Sequence, residues 1–200
     1  SILVNLHTDE SDIDLVVYGR ENCRSVHEAL ERLMRGRETP VSRYAFEDLK
    51  KLYKSRVKDT HMPFKDFHRM EKRKLSQGKF KGRDFFVRLM PDRDEVDEKY
   101  GDRSYRAAGY AKIGANVEDD SESIFTPCKY VISDTRILEG SIVPPLTEIV
   151  SFRGRFCEQA KKGEKVIAQG KVEKVIEKDG SEYFRLILGA RPSDFMISMR

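Results

Sequence analysis

Ser1-Ile2-Leu3-Val4-Asn5-Leu6-His7-Thr8-Asp9-Glu10-Ser11-Asp12-Ile13-Asp14-Leu15-Val16-Val17 decides how this chain is read. Two carboxylates, one residue apart, stand at the mouth of an apolar, strand-like run. Successive strand side chains point to opposite faces, so Asp12 and Asp14 project together while Ile13 turns into a core. Folding alone gives little reason to set two like charges side by side. A divalent cation removes the objection, because Mg²⁺ takes one or two carboxylates together with substrate phosphate oxygens. The pattern therefore points to a metal site for phosphoryl chemistry, against the plainer reading of an acidic turn at the head of a strand.

The same residues resemble a known family. Nucleotidyltransferases of the DNA polymerase β superfamily carry Gly-Ser, about ten residues, then Asp-x-Asp on a strand, often within Ser-Asp-Ile-Asp-Leu. Here Ser1 is followed by Ile2 to Ser11 and then Asp12-Ile13-Asp14-Leu15. Ser1 corresponds to the motif serine, and the glycine before it lies off the start of the chain. The resemblance is to an archaeal-type or minimal member and covers about the first hundred residues; minimal members often have Arg after that serine, where this chain has Ile2.

The resemblance implies an α+β chain: a polymerase β-like α/β core over residues 1–108, lacking the helix and first strand that precede Gly-Ser in the family. It implies transfer of a nucleoside monophosphate from an NTP to an acceptor hydroxyl. Two Mg²⁺ or Mn²⁺ ions would be held by Asp12 and Asp14, and Ser1 would hold the β and γ phosphates. Because the chain begins inside the motif, a piece with only part of its own active site is expected, completed by its N-terminal segment or by a partner subunit.

Outward from the motif, Gly19 ends the first strand. Val26, Ala29, Leu30, Leu33 and Met34 recur at helical spacing up to Gly36. Pro40 and Ser42 introduce a second helix over about 44–58, and Pro63 fits the first turn of a third, with Phe64, Phe67, Met70 and Leu75 inward. Residues 81–91 read as a second strand on which Asp84, Phe86 and Arg88 share one face. The family places a third carboxylate on a later strand. Asp84 is the candidate for that role in catalysis and metal binding; the alternative is a strand-edge aspartate paired to Arg83 or Arg88.

From about Gly109 the pattern becomes strand-rich: 110–117, 124–133, 148–156, 165–177 and 182–188, separated by turn chemistry such as Lys178-Asp179-Gly180. These predict a small β-barrel-like C-terminal domain over 109–200, comparable by fold analogy to an oligonucleotide-binding barrel, the alternative being a barrel that only packs against the first domain.

The 200 residues are 36% charged and 38% hydrophobic, with net charge +4. No run approaches the length of a membrane span and no signal peptide is visible, so no membrane partner is expected. Cys23, Cys128 and Cys157 are far apart and odd in number, which favours reduced thiols and a cytoplasmic location; with four histidines that lack ligand spacing, they predict no structural zinc. Between Lys65 and Arg83, eight basic residues face two acidic ones. Lys72, Arg73, Lys74, Lys79 and Lys81 are the candidate contacts to RNA or another polyanionic acceptor, the alternative being a solvated helix face. A nucleic-acid-binding module with a degenerate centre therefore stands beside the transferase.

Overall fold

The computed structural model describes residues 8, 11–36, 39–56, 58, 61–96, 98–141 and 144–199. Among them are three helices and ten strands in two sheets, an α+β arrangement dominated by sheet. Ser1 lies outside the described residues.

The first sheet contains β1 (Ile13–Tyr18), β2 (Val41–Ser42), β3 (Gln77–Phe80) and β4 (Arg83–Met90), in the order β1-β4-β3-β2. β1 runs parallel to β4, with Ile13 opposite Phe85 and Asp14 opposite Phe86. Helix α1 (Arg20–Arg35) follows β1 through Gly19, whose φ of 89° makes the sharp turn that a side chain would resist. Its stripe of Cys23, Val26, Leu30 and Met34 packs on Ile13, Val17, Phe85, Val87 and Leu89 and forms one core. Helices α2 (Phe46–Ser55) and α3 (Phe64–Glu71) pack together through Tyr53, Phe64 and Phe67. Phe67, Met70 and Leu75 are buried, so the apolar side of the third helix faces inward as its spacing predicts.

The strand expected over 81–91 begins only at Arg83. Lys81 and Gly82 have φ of 50° and 83° and form a two-residue hairpin turn to a strand the periodicity missed, β3. Two positive-φ residues suit the twist of paired strands, but Lys-Gly lacks the Asn-Gly or Asp-Gly signature that announces such a turn.

The second sheet holds β5 (Arg103–Asp119), β6 (Cys128–Gly140), β7 (Leu146–Ser151), β8 (Lys165–Glu177), β9 (Glu182–Leu188) and β10 (Phe195–Met199), in the order β10-β8-β5-β6-β7-β9. β5 starts ahead of the expected change at Gly109, because Arg-Ser-Tyr-Arg-Ala-Ala offers little β-branched content. The expected strand over 148–156 stops at Ser151, and Gly154–Phe156 forms a 3-10 turn. β8 pairs with β5 along its length, with β10 over Lys165–Gln169 and with β9 over Lys171–Ile176. β9 also runs parallel to β7. At Gly170 a Cβ would sit 2.4 Å from the Ile187 carbonyl oxygen, so the glycine lets β9 approach. Ile113, Tyr130, Ile149, Leu186 and Met196 are fully buried inside this sheet.

The sheets are joined by polar contacts. Arg73 makes a two-pronged pair with Glu164 at 2.8 and 3.0 Å and donates to the Gln159 carbonyl. Lys74, 2% exposed, sits 2.6 Å from Glu71 and donates to the Arg155 carbonyl at 2.6 Å. His27 meets Glu158 at 2.9 Å. The β5–β6 connection reaches back to the first sheet: Phe125 bridges to Leu89, and the Thr126 N–H donates to the Leu89 carbonyl at 2.8 Å.

Candidate active site

β1 and β4 lie in parallel register, so residues opposite one another point to the same side of the sheet. Ile13 and Phe85 face α1 and its core. Asp14 and Phe86 therefore face the other way, together with Asp12 just before the strand and Asp84 on β4. Asp12 and Asp14 are exposed, and the Asp84 side chain is 46% exposed. Further along the same face Val16, Tyr18 and Arg88 are open to solvent. The alternation that placed the two carboxylates of the motif on one face thus also carries the third candidate there.

Neighbours absent from the sequence reading complete this corner. Tyr44, in the turn before α2, is half-buried, and burial followed by the carboxylates of Asp84, Asp12 and Asp48 keeps its phenol protonated far above the usual range. The Lys79 ammonium lies 5.9 Å from the centre of the Tyr44 ring, which sets Tyr44 beside the Lys79–Asp84 pair. Lys79, opposite Asp84 across β3 and β4, reaches Asp84 at 2.8 Å and Asp48 at 3.5 Å. Its hydrogen bond to Asp84 is the main cause that raises the ammonium above its ordinary pKa, with burial opposing. Asp48 gave no signal of its own in sequence. It occupies the third position of α2 and accepts the Ala45 N–H at 3.0 Å, which is an ordinary helix-start role.

The basic residues expected to form one patch separate. Lys72 and Lys81 are exposed. Arg73 and Lys74 turn inward to the pairs with Glu164 and Glu71, since each leaves the end of α3 beside a carboxylate that needs a cation. Lys79 belongs to the carboxylate corner. The contiguous polyanion surface read from the sequence is therefore not presented by these five residues.

The carboxylate oxygens suit a hard cation such as Mg²⁺, which is satisfied by one or two carboxylates plus phosphate and water oxygens. Asp12 and Asp14 provide such a pair; Asp84 is held by Lys79. Among the described residues no group of three or more His, Cys, Asp or Glu side chains is assembled as a metal site. Cys23, Cys128 and Cys157 are free and buried. The described residues contain no helix long and apolar enough to cross a membrane.

The chain is similar to an uncharacterized protein of Methanocaldococcus jannaschii, 34% identical over 197 residues, which is 98% of this chain and 55% of the relative. The chain thus spans about half the length of the curated relative it matches. No family model and no solved structure matches it.

Proposed function

We propose that this chain carries a nucleotidyltransferase centre of the polymerase β type, which moves a nucleoside monophosphate from an NTP to an acceptor hydroxyl. The observation that carries the reading is the shared open face of Asp12, Asp14 and Asp84 on adjacent parallel strands. Asp12 and Asp14 would hold Mg²⁺ or Mn²⁺ with the NTP phosphates completing the shell. The bound metal would supply charge stabilisation for the transferring phosphoryl group and lower the pKa of the attacking hydroxyl. The protein's own part is positional: β1 fixes the spacing of the two carboxylates, and Tyr44 remains a hydrogen-bond donor at the rim. Asp84, once exchanged from Lys79, would support the acceptor side.

The second reading is a nucleic-acid-binding module with an inactive centre. The Lys79–Asp84 pair favours it, because a resident cation there stands where the third carboxylate would meet a metal. The strand order of the second sheet also suits it. β5, β6, β7, β9 and β8 pair in succession, with β7 parallel to β9, which supports a small five-stranded barrel-like unit of the kind that binds oligonucleotides.

The test is incubation of the chain, and of the chain extended as in its longer relative, with each α-labelled NTP, Mg²⁺ or Mn²⁺, and an extract of RNA and protein. Asp12→Asn runs beside each. Label entering a macromolecule only with Asp12 intact supports the transferase. Transfer that survives Asp12→Asn overturns it, and metal-independent RNA retention by both proteins without label supports the binding module.

A further inference from the structure

The second sheet reaches the carboxylate face through the turn that follows β7, Phe152-Arg153-Gly154-Arg155. Gly154 lies on the ring of Phe86, where a Cβ would come 2.5 Å from the Cζ atom. Phe86 is the cross-strand neighbour of Asp14 and stands two positions from Asp84 on the same side of β4. The turn therefore rests on the carboxylate face itself, one side chain from Asp14.

The turn is braced from both sides. Ser151 Oγ donates to the Leu188 carbonyl at 2.8 Å and accepts the Arg153 N–H at 3.1 Å. The Arg155 carbonyl receives the buried Lys74 ammonium. The stem of Arg153 lies against Gly189, where a Cβ would come 2.6 Å from Arg153 Cγ. On this fixed support two side chains are left outward: Phe152 is 60% exposed, and Arg153 is exposed. Leaving most of a phenyl ring in water forgoes most of the gain of burying it, so the exposed face of Phe152 adds little to the fold.

Resting on the nucleotidyl-transfer reading, we infer that Phe152 and Arg153 form the acceptor platform: the ring stacks an unpaired base, and the guanidinium holds the adjacent phosphate of a single-stranded nucleic acid whose terminal hydroxyl points to Asp12 and Asp14. A stacked base needs a free π-face, which a single strand offers and a duplex interior does not. Duplex binding draws on a broad cationic surface, and Arg73 and Lys74 are occupied inside the protein. The cation at Arg153 also offsets the repulsion that Asp12 and Asp14 exert on an approaching phosphate.

The experiment is fluorescence anisotropy with a short labelled single-stranded oligonucleotide, without NTP or divalent metal. Phe152→Ala is expected to weaken binding about 5- to 150-fold, and Phe152→Tyr to retain it. Arg153→Gln is expected to reduce the slope of log affinity against log salt by about 0.7. Unchanged affinity in Phe152→Ala, no binding by the wild type, or equal affinity for the duplex of the same sequence each overturns the platform. Asp12→Asn, which removes one repelling charge, should bind at least as tightly as the wild type, so a failed transfer assay with an intact Phe152 effect rejects the transferase and leaves the platform standing. Should Phe152→Ala unfold, the Arg153→Gln salt slope and Phe152→Tyr decide.

Discussion

Lys79 Nζ lies 2.8 Å from Asp84 Oδ1, on the neighbouring strand and opposite it in register. The carboxylate that would complete a metal site is thus held by a counter-ion of its own. The pair is partly exposed, at 25% and 46% for the two side chains, so water screens it and its net worth is at most about 1 kcal/mol. A divalent ion bound beside Asp12 could displace the ammonium at that cost.

Removing Lys79 separates the two uses of Asp84. In Lys79→Met the stability to urea should change by less than about 1 kcal/mol. The Mn²⁺ concentration for half-maximal nucleotidyl transfer should fall by up to about 5-fold. A metal titration that overlays the wild type would show that Asp84 takes no part in metal binding.

Asp12→Asn and Asp14→Asn should each lower transfer at least about 100-fold, the scale of losing one group that stabilises charge in a transition state. Both residues are exposed like charges, so thermal melting should stay put or rise slightly. A melting point several degrees lower would assign them a structural role instead.

Gly170→Ala pushes a methyl into the Ile187 carbonyl oxygen, which is backbone and cannot swing away. Overpacking of this kind costs about 1–3 kcal/mol. Urea unfolding should report that loss, and an unchanged midpoint would mean that β8 and β9 are more loosely paired than described.

Glu158 supplies an acid dependence. Burial would raise its carboxyl, but the contacts from His27, Ser76 and the Leu75 N–H outweigh this and hold it at about 2, against an ordinary 4.5. A depressed carboxyl stabilises the fold above its unfolded value and loses that contribution as pH falls from 4.5 through about 2. The amount is about 3 kcal/mol, at about 1.4 kcal/mol per tenfold change in proton affinity. Glu158→Gln should lose most of it already at neutral pH and show a flatter stability profile between those values; equal slopes in both proteins would remove Glu158 from the account.

Alternation and punctuation made much of this fold legible. β8 and β9 run over the residues their Val, Ile, Phe and Tyr content marks, and α1 ends at Gly36. Asp12, Asp14 and Asp84 could be placed on strand faces because the period of two is a local property. What escaped is non-local. Arg73 and Lys74 read as solvated charges, yet Glu164 and Glu71 draw them inside, one of those partners being far away in sequence. The sequence offers Asp84 a cation on its own strand, Arg83 or Arg88, whereas the structure supplies Lys79 from the neighbouring strand, across a Lys81-Gly82 turn that lacks an Asn-Gly or Asp-Gly signature. β10 is a short run whose pairing with β8 decides its state, and no local signal separates it from a loop.

Phe125 belongs to the connection between β5 and β6 but is fully buried among Cys23, Phe85, Val87 and Leu89 of the first sheet. The boundary expected near residue 108 falls inside β5, and Phe125 ties the segment beyond it to the first sheet. A fragment ending there would expose the Leu89 carbonyl and leave a phenyl-sized hole beneath α1, while its complement would carry a loose aromatic hook. The carboxylate strand β1 packs on that same core, so the shape of the candidate site depends on a residue contributed by the other sheet.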